Sequence, residues 1–198
     1  MSETKENLPI PSLRPPFKIP VENHITKEIC HIVSVDQFYK ESETDIDQIT
    51  EMFNEPIIYN LFYAHKIPNH APVTANSAQS LIKDDIKGWA EKTSSGFFIR
   101  NNEGKIVGHI SLEAKDAISA VIHYMFSENF RGVATNTVLK ICELAKKAGF
   151  QKLIADTVES NEKSQKVLAN AGFTPDGGFS KLNKNKETTV FNLYSKNL

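Results

Sequence analysis

The order of strand-like and helix-like segments is the feature of this sequence that most limits its fold. Two short apolar runs, 96–100 and 105–113, are joined by turn-forming residues at 101–104, which predicts an antiparallel hairpin. A third β-branched run follows at 118–126. Only then does the pattern change to a helix at 135–148, a buried strand at 153–158 and another helix that begins near Ser160 or Asn161. This order predicts one α/β domain.

The flanking segments extend the same pattern. Residues 29–35 predict a strand, and 42–54 predict a helix with Ile46, Ile49, Met52 and Phe53 on one stripe. Residues 56–74 carry prolines and aromatic side chains and predict an irregular loop or a short helix. A further helix is expected to begin at Asn76 or Ser77, and 173–179 with 188–194 predict a closing hairpin. The predicted order is β, α, α, β, β, β, α, β, α, β, β.

A proline-rich arm, residues 1–22, precedes the domain at 23–198. Five prolines at 9–20 exclude a helix or a central strand there, so we predict an extended or disordered arm. Its apolar residues can also lie along the domain surface or a neighbouring subunit: Leu8, Ile10, Leu13, Phe17 and Ile19. Deleting residues 1–20 is expected to leave the melting temperature nearly unchanged.

Charge and composition exclude several classes of protein. The 198 residues include 23 Lys and Arg against 24 Asp and Glu, so no net positive field favours nucleic acid as a partner. No apolar run has the length of a secretory signal or a membrane span, which predicts a soluble, cytoplasmic protein. Cys30 and Cys142 are too few for a disulfide framework or a zinc cluster, and we expect no metal.

A junction of strand, glycine turn and helix at 124–136 is the first candidate for a binding site. Such a turn places unpaired backbone N–H groups at the positive end of a helix dipole, a geometry that binds phosphate without a lysine. Gly132 and Ala134 keep side chains out of the way. Alone, the junction is equally typical of an ordinary connection. The candidate phosphate-binding residues are Asn129, Arg131, Gly132, Val133, Ala134, Thr135 and Asn136.

Residues 155–173 carry a second and more specific motif, a strand followed by Glu-x-Asn, a serine, an apolar pair and Gly-Phe. Its positions are Glu159, Asn161, Ser164, Val167, Leu168, Gly172 and Phe173. This motif resembles a signature of the GNAT superfamily of N-acetyltransferases, most closely the branch that acetylates the N-termini of ribosomal proteins. Residues 129–134 are similar to the same family's pyrophosphate loop, and the resemblance covers about residues 29–194.

The resemblance implies a GNAT fold, which is a mixed, mainly antiparallel twisted sheet flanked by helices. It implies acetyl-CoA as cosubstrate and a primary amine as acceptor, either a protein N-terminus or a small-molecule amine. The alternative is a catalytically weak GNAT fold that binds CoA or another protein. A monomer or a homodimer is expected. The pyrophosphate loop lacks one customary glycine, which puts cofactor affinity in question.

The resemblance also implies residue roles. The strand edge at Tyr124, Met125 and Phe126 is expected to pair with the pantetheine arm, which Asn161 would also bind unless it only caps its helix. Leu168 stands where many relatives have a tyrosine acid, so Ser164 is the candidate donor to the leaving thiolate, with a packing role alone as the alternative. Val121 replaces a frequent carboxylate. His123 is therefore the candidate base and Glu113 competes with it, while the alternative for this strand histidine is a structural or surface role.

Overall fold

The antiparallel hairpin predicted at 96–113 lies near the centre of an eight-stranded open sheet. The computed structural model describes residues 11–63, 71–182 and 188–198. The strands are β1 (Lys18–Glu22), β2 (Ile29–Ser34), β3 (Ser94–Arg100), β4 (Ile106–Ala114), β5 (Ser119–Phe126), β6 (Lys152–Val158), β7 (Thr174–Leu182) and β8 (Thr188–Asn197). Their order in the sheet is β1-β2-β3-β4-β5-β6-β8-β7. Of the strands in these described ranges, β5 and β6 alone pair in parallel, which confirms a mixed, mainly antiparallel sheet.

Five helices flank the sheet in the described residues. They are α1 (Glu43–Phe53), α2 (Pro56–Phe62), α3 (Ala75–Glu91), α4 (Ala134–Ala148) and α5 (Glu162–Asn170). Ser42 caps α1 by accepting the N–H of Asp45, and α4 ends at Gly149, whose φ of 109° suits a residue without Cβ. These boundaries follow the sequence pattern closely.

The sheet separates two hydrophobic clusters, because successive strand residues face opposite sides. Phe97 enters the cluster covered by α4 and α5, whereas its neighbour Phe98 enters the cluster covered by α1, α2 and α3. On the α4 side, Val138, Ile141 and Ala145 are fully buried and form the apolar stripe of the helix. The two packed faces hold β5 and β6 in place at the centre of the molecule.

Several predicted details are wrong. The predicted order lacks β1, whose prolines obscure its strand pattern. For 56–74 the prediction left an irregular loop or a short helix open, and α2 is a short helix. The α3 helix begins at Ala75 after Thr74, not after Asn76 or Ser77. Parts of two predicted segments, 64–70 and 183–187, lie outside the described residues.

The end of the N-terminal arm is an integral part of the sheet. β1 pairs with β2 over five residues at the sheet edge, a position that tolerates Pro20, which has no N–H to donate. The N–H of Phe17 donates to the Ser34 hydroxyl at 2.8 Å, and the Phe17 ring lies 6.1 Å from each of the Trp89 and Phe97 rings. These contacts argue against the expectation that residues 1–20 can be deleted without loss of stability, and the deletion is a prediction to test.

Two further predictions concern cysteines and membranes. Cys30 and Cys142 are both free and buried, and burial raises the pKa of each thiol to about 11. Both are therefore protonated, unreactive packing residues near neutral pH. Among the described residues, every helix is too short or too polar to cross a bilayer.

Candidate active site

Among the described strands, the parallel pair of β5 and β6 stops pairing part-way along its length, which leaves a gap between the two strand edges. The two strands pair only over residues 119–121 and 152–154. Beyond that point β5 continues to pair with β4 as far as Phe126, and β6 continues to pair with β8 as far as Val158. Within the described chain, the facing edges at 122–126 and 155–158 therefore carry no strand partner. We call this gap the β5–β6 cleft.

The start of α4 lies at the end of β5 and presents unpaired backbone donors. The first intrahelical bond runs from the N–H of Thr137 to the carbonyl of Val133, and no side chain caps the helix. In the described residues, the N–H groups of 132–136 have no acceptor. Several N–H groups at a helix N-terminus bind anions, so this segment fits a pyrophosphate.

The turn between β1 and β2 supports the loop that precedes α4. The sequence did not predict this support. Asn23 is fully buried, and its Nδ2 donates to the Arg131 carbonyl at 2.9 Å. The backbone N–H of His24 donates to the Gly132 carbonyl at 3.0 Å. Asn136 donates from Nδ2 to the carbonyl of residue 22 at 2.7 Å, so its side chain anchors the helix and only its backbone N–H faces outward.

Position 132 requires glycine for two reasons, its backbone conformation and the closeness of a neighbouring side chain. Its φ is 103°, and a Cβ there would lie 2.2 Å from Asn23 Oδ1. We expect Gly132→Ala to lower the free energy of unfolding by more than about 1 kcal/mol, measured by urea denaturation. Gly104→Ala is the matched control, because Gly104 also has a positive φ of 84° but nothing within 4 Å of its Cβ position. Equal losses in the two variants would show that the Asn23 contact contributes nothing.

The predicted residues Ser164, Asn161 and Tyr124 meet on the α5 side of the cleft. Asn161 caps α5, with its Oδ1 accepting the N–H of Ser164 at 3.2 Å. Its Nδ2 has no partner in the described part of the chain, so capping leaves one end of this amide available. The Tyr124 hydroxyl lies 2.8 Å from Ser164 Oγ.

The two candidate bases lie together on the other face of the sheet. His123 Nε2 is 3.4 Å from Glu113 Oε2, and both side chains are about half exposed, at 51% and 62%. Strand alternation places His123 on the face opposite Tyr124. The histidine and the carboxylate are therefore partners in space.

Unpaired strand edges, a helix start with free N–H groups and a flanking serine therefore lie close together in the described part of this structure. Residues 39–174 match the family described as acetyltransferase (GNAT) domain. The chain belongs to the GNAT acetyltransferase family. No curated protein matches it by sequence.

Solved GNAT structures have the same fold at low sequence identity. RimJ of Mycobacterium smegmatis, in complex with CoA-disulfide, has a TM-score of 0.70 and 15% identity, with 91% of this chain and 86% of that chain covered. The microcin C7 self-immunity acetyltransferase MccE, in complex with acetyl-CoA and AMP, has a TM-score of 0.68 and 19% identity, with 89% of this chain and 99% of that chain covered. RimL, a ribosomal alpha-N-protein acetyltransferase in complex with coenzyme A, has a TM-score of 0.67 and 14% identity, with 92% of this chain and 98% of that chain covered.

One more residue of this GNAT site was missed from the sequence. Glu55, which precedes α2, accepts the Ser127 hydroxyl and the N–H of Glu128, while the Glu128 carboxylate accepts the N–H of Ile57. This exchange ties α2 to the loop between β5 and α4, and Asn129 lies beside it, with its Nδ2 3.5 Å from Glu55 Oε1. No sequence signal reveals the contact, because the partners are more than 70 residues apart.

Proposed function

We propose that the protein is an acetyl-CoA-dependent N-acetyltransferase that acts on a primary amine, either a protein N-terminus or a small-molecule amine. The observation that carries this proposal is the β5–β6 cleft, which leads at one end to the free N–H groups of 132–136 and is flanked by Ser164. A cytoplasmic location remains a prediction from composition.

The cleft offers each contact that an acetyl-CoA molecule requires. The helix start at 132–136 would hold the pyrophosphate, and the exposed Arg131 side chain would add positive charge. The free edge of β5 at Tyr124, Met125 and Phe126 would pair with the pantetheine amides, with Asn161 Nδ2 as a further donor. The complexes of RimL and MccE named above contain CoA and acetyl-CoA, respectively.

Acetyl transfer to an amine then requires a base, stabilisation of the thioester oxygen and a donor to the leaving thiolate. A base must remove a proton from the ammonium group, which the His123–Glu113 pair would do. A backbone N–H on the free edge of β5 would stabilise the thioester oxygen as negative charge develops on it. Ser164 would protonate the departing thiolate or donate a hydrogen bond to it.

A protein N-terminus is the first acceptor to test, because RimL is a ribosomal alpha-N-protein acetyltransferase. The alternative function is a catalytically weak GNAT module that binds CoA or another protein. Val121 favours this alternative, because it stands where relatives often have a carboxylate. The neighbouring His123–Glu113 pair is also about half exposed to solvent. Binding of CoA without transfer to any amine would support that alternative.

A charge at the helix start tests the cofactor site directly. Ala134→Asp should raise the Kd for acetyl-CoA at least about tenfold, because its carboxylate would repel a pyrophosphate held by the same N–H groups. An acidic residue suits a helix N-terminus, so the fold should remain stable. Calorimetric titration measures the affinity.

Ala134→Asn is the matched control, since it has the same shape without the charge. At 100 times its Kd, acetyl-CoA should stabilise the wild type and the Asn variant by about 2.7 kcal/mol. If the Asp variant binds as tightly as the Asn variant, the pyrophosphate lies elsewhere.

A further inference from the structure

The side chain of Tyr124 has a contact that the proposed function does not use. The proposed role of this residue involves only its backbone edge, yet its hydroxyl reaches across the β5–β6 cleft to the first turn of α5. It lies 2.8 Å from Ser164 Oγ and 3.3 Å from the Ser164 carbonyl oxygen. This contact joins the two sides of the cleft where the strands have separated.

The direction of this hydrogen bond follows from the chemistry of the two groups. Burial raises the pKa of Tyr124 to about 12, so the phenol is protonated and has one hydrogen to donate near neutral pH. A distance of 3.3 Å is long for an O–H···O bond, whereas 2.8 Å is the usual length. Either hydroxyl could donate across the 2.8 Å contact, and because that contact is the shorter one we assign the Tyr124 hydrogen to Ser164 Oγ.

This assignment leaves the hydrogen of Ser164 free. A serine in a helix usually donates to the carbonyl four residues earlier, but within the described residues Ser164 Oγ contacts only Tyr124. With one acceptor position of Oγ occupied by the phenol, the Ser164 hydrogen is directed away from Tyr124. A hydroxyl that accepts one hydrogen bond also becomes a better donor in the next one.

We propose that Tyr124 is a positioning residue that orients the Ser164 hydroxyl toward the sulfur of CoA bound in the β5–β6 cleft. This inference rests on the proposed function. As the neutral amine attacks the acetyl carbon and the C–S bond breaks, the bonding electron pair goes to sulfur, and the surplus proton on the new amide nitrogen passes to water. Ser164 donates a hydrogen bond to the thiolate, Tyr124 donates one to Ser164, and both residues keep their protons.

The pKa of the CoA thiol bound to the protein tests this role without an acceptor. The ultraviolet absorbance of the thiolate would be followed against pH for CoA bound to the wild type, Tyr124→Phe, Ser164→Ala and the double variant. We expect each single variant to raise the pKa of the bound thiol by about 1, the size of one lost hydrogen bond to a charged group. The double variant should match Ser164→Ala, because Tyr124 acts through Ser164.

Tyr39→Phe is the control for loss of a buried phenol. The Tyr39 hydroxyl donates to Asp45 at 2.8 Å on the α1 side of the sheet, so its loss should leave the bound thiol unchanged. An unchanged pKa of the bound thiol in Tyr124→Phe would overturn the positioning role. A larger shift of that pKa in the double variant than in Ser164→Ala would overturn it as well. Failure of the wild type to bind CoA at all would instead overturn the proposed function and this role with it.

Discussion

Removal of residues 1–20 is expected to lower the free energy of unfolding by more than about 3 kcal/mol. The deletion removes most of β1 and the side chains of Leu13, Phe17 and Ile19, which pack against the cluster on the α4 side of the sheet. Loss of one large buried aromatic side chain alone costs about 3 to 5 kcal/mol. Denaturant unfolding of the full chain and of the truncated chain measures the difference.

Phe17→Ala separates the packing of the arm from its strand pairing. Phe17 is half-buried against Trp89 and Phe97, so we expect a loss of about 2 kcal/mol. Phe38→Ala is the matched control, because the Phe38 side chain is 64% exposed and should cost less than about 0.5 kcal/mol. A truncated chain as stable as the full chain would show that β1 and Phe17 contribute nothing to the fold.

Ser164→Ala is expected to lower turnover by about 10²- to 10⁴-fold, the range typical of a lost general acid or positioned donor. The Asn161 cap uses the backbone N–H of Ser164, not its hydroxyl, so α5 should keep its N-terminus. Binding of acetyl-CoA should therefore persist while kcat falls. Steady-state kinetics and calorimetry on the same preparation measure the two quantities.

Ser160→Ala is the control for this loss of turnover. Ser160 is exposed in the turn before α5, and among the described residues its hydroxyl has no partner, so turnover should not change. Wild-type turnover in Ser164→Ala would exclude a catalytic role for the serine. A lost affinity for acetyl-CoA with unchanged kcat would make Ser164 a binding residue instead.

The elements that the sequence predicted are those whose signals are local. The helix at α4 has an apolar stripe and a glycine stop, and the hairpin of β3 and β4 has turn residues between apolar runs, so both were predicted within about two residues. β1 was missed because Pro20 argues against a strand, although the free edge of the sheet accepts it. Its partners lie on β2 and α3, and local patterns carry no information about such contacts.

In the candidate site, too, local sequence signals were recognised and contacts between distant segments were missed. The motif at 159–173 and the turn at Gly132 indicated where α5 and α4 begin, after β6 and β5, because these signals are local in the sequence. The buried Asn23 and the Glu55–Glu128 exchange depend on contacts between distant segments, so neither was found. The Tyr124–Ser164 contact joins two motifs that the sequence had identified separately.

Mass spectrometry of acceptor amines incubated with acetyl-CoA and the purified protein tests acetyl transfer most directly. The panel would contain peptides with free N-termini and small-molecule primary amines, each run with the wild type, Ala134→Asn and Ala134→Asp. We expect at least one amine to gain an acetyl group as CoA is released, with wild-type rates for the Asn variant and at least about tenfold lower rates at limiting acetyl-CoA for the Asp variant. If acetyl-CoA binds but no amine in the panel is acetylated, the protein is a binding module and the proposed transferase activity is contradicted.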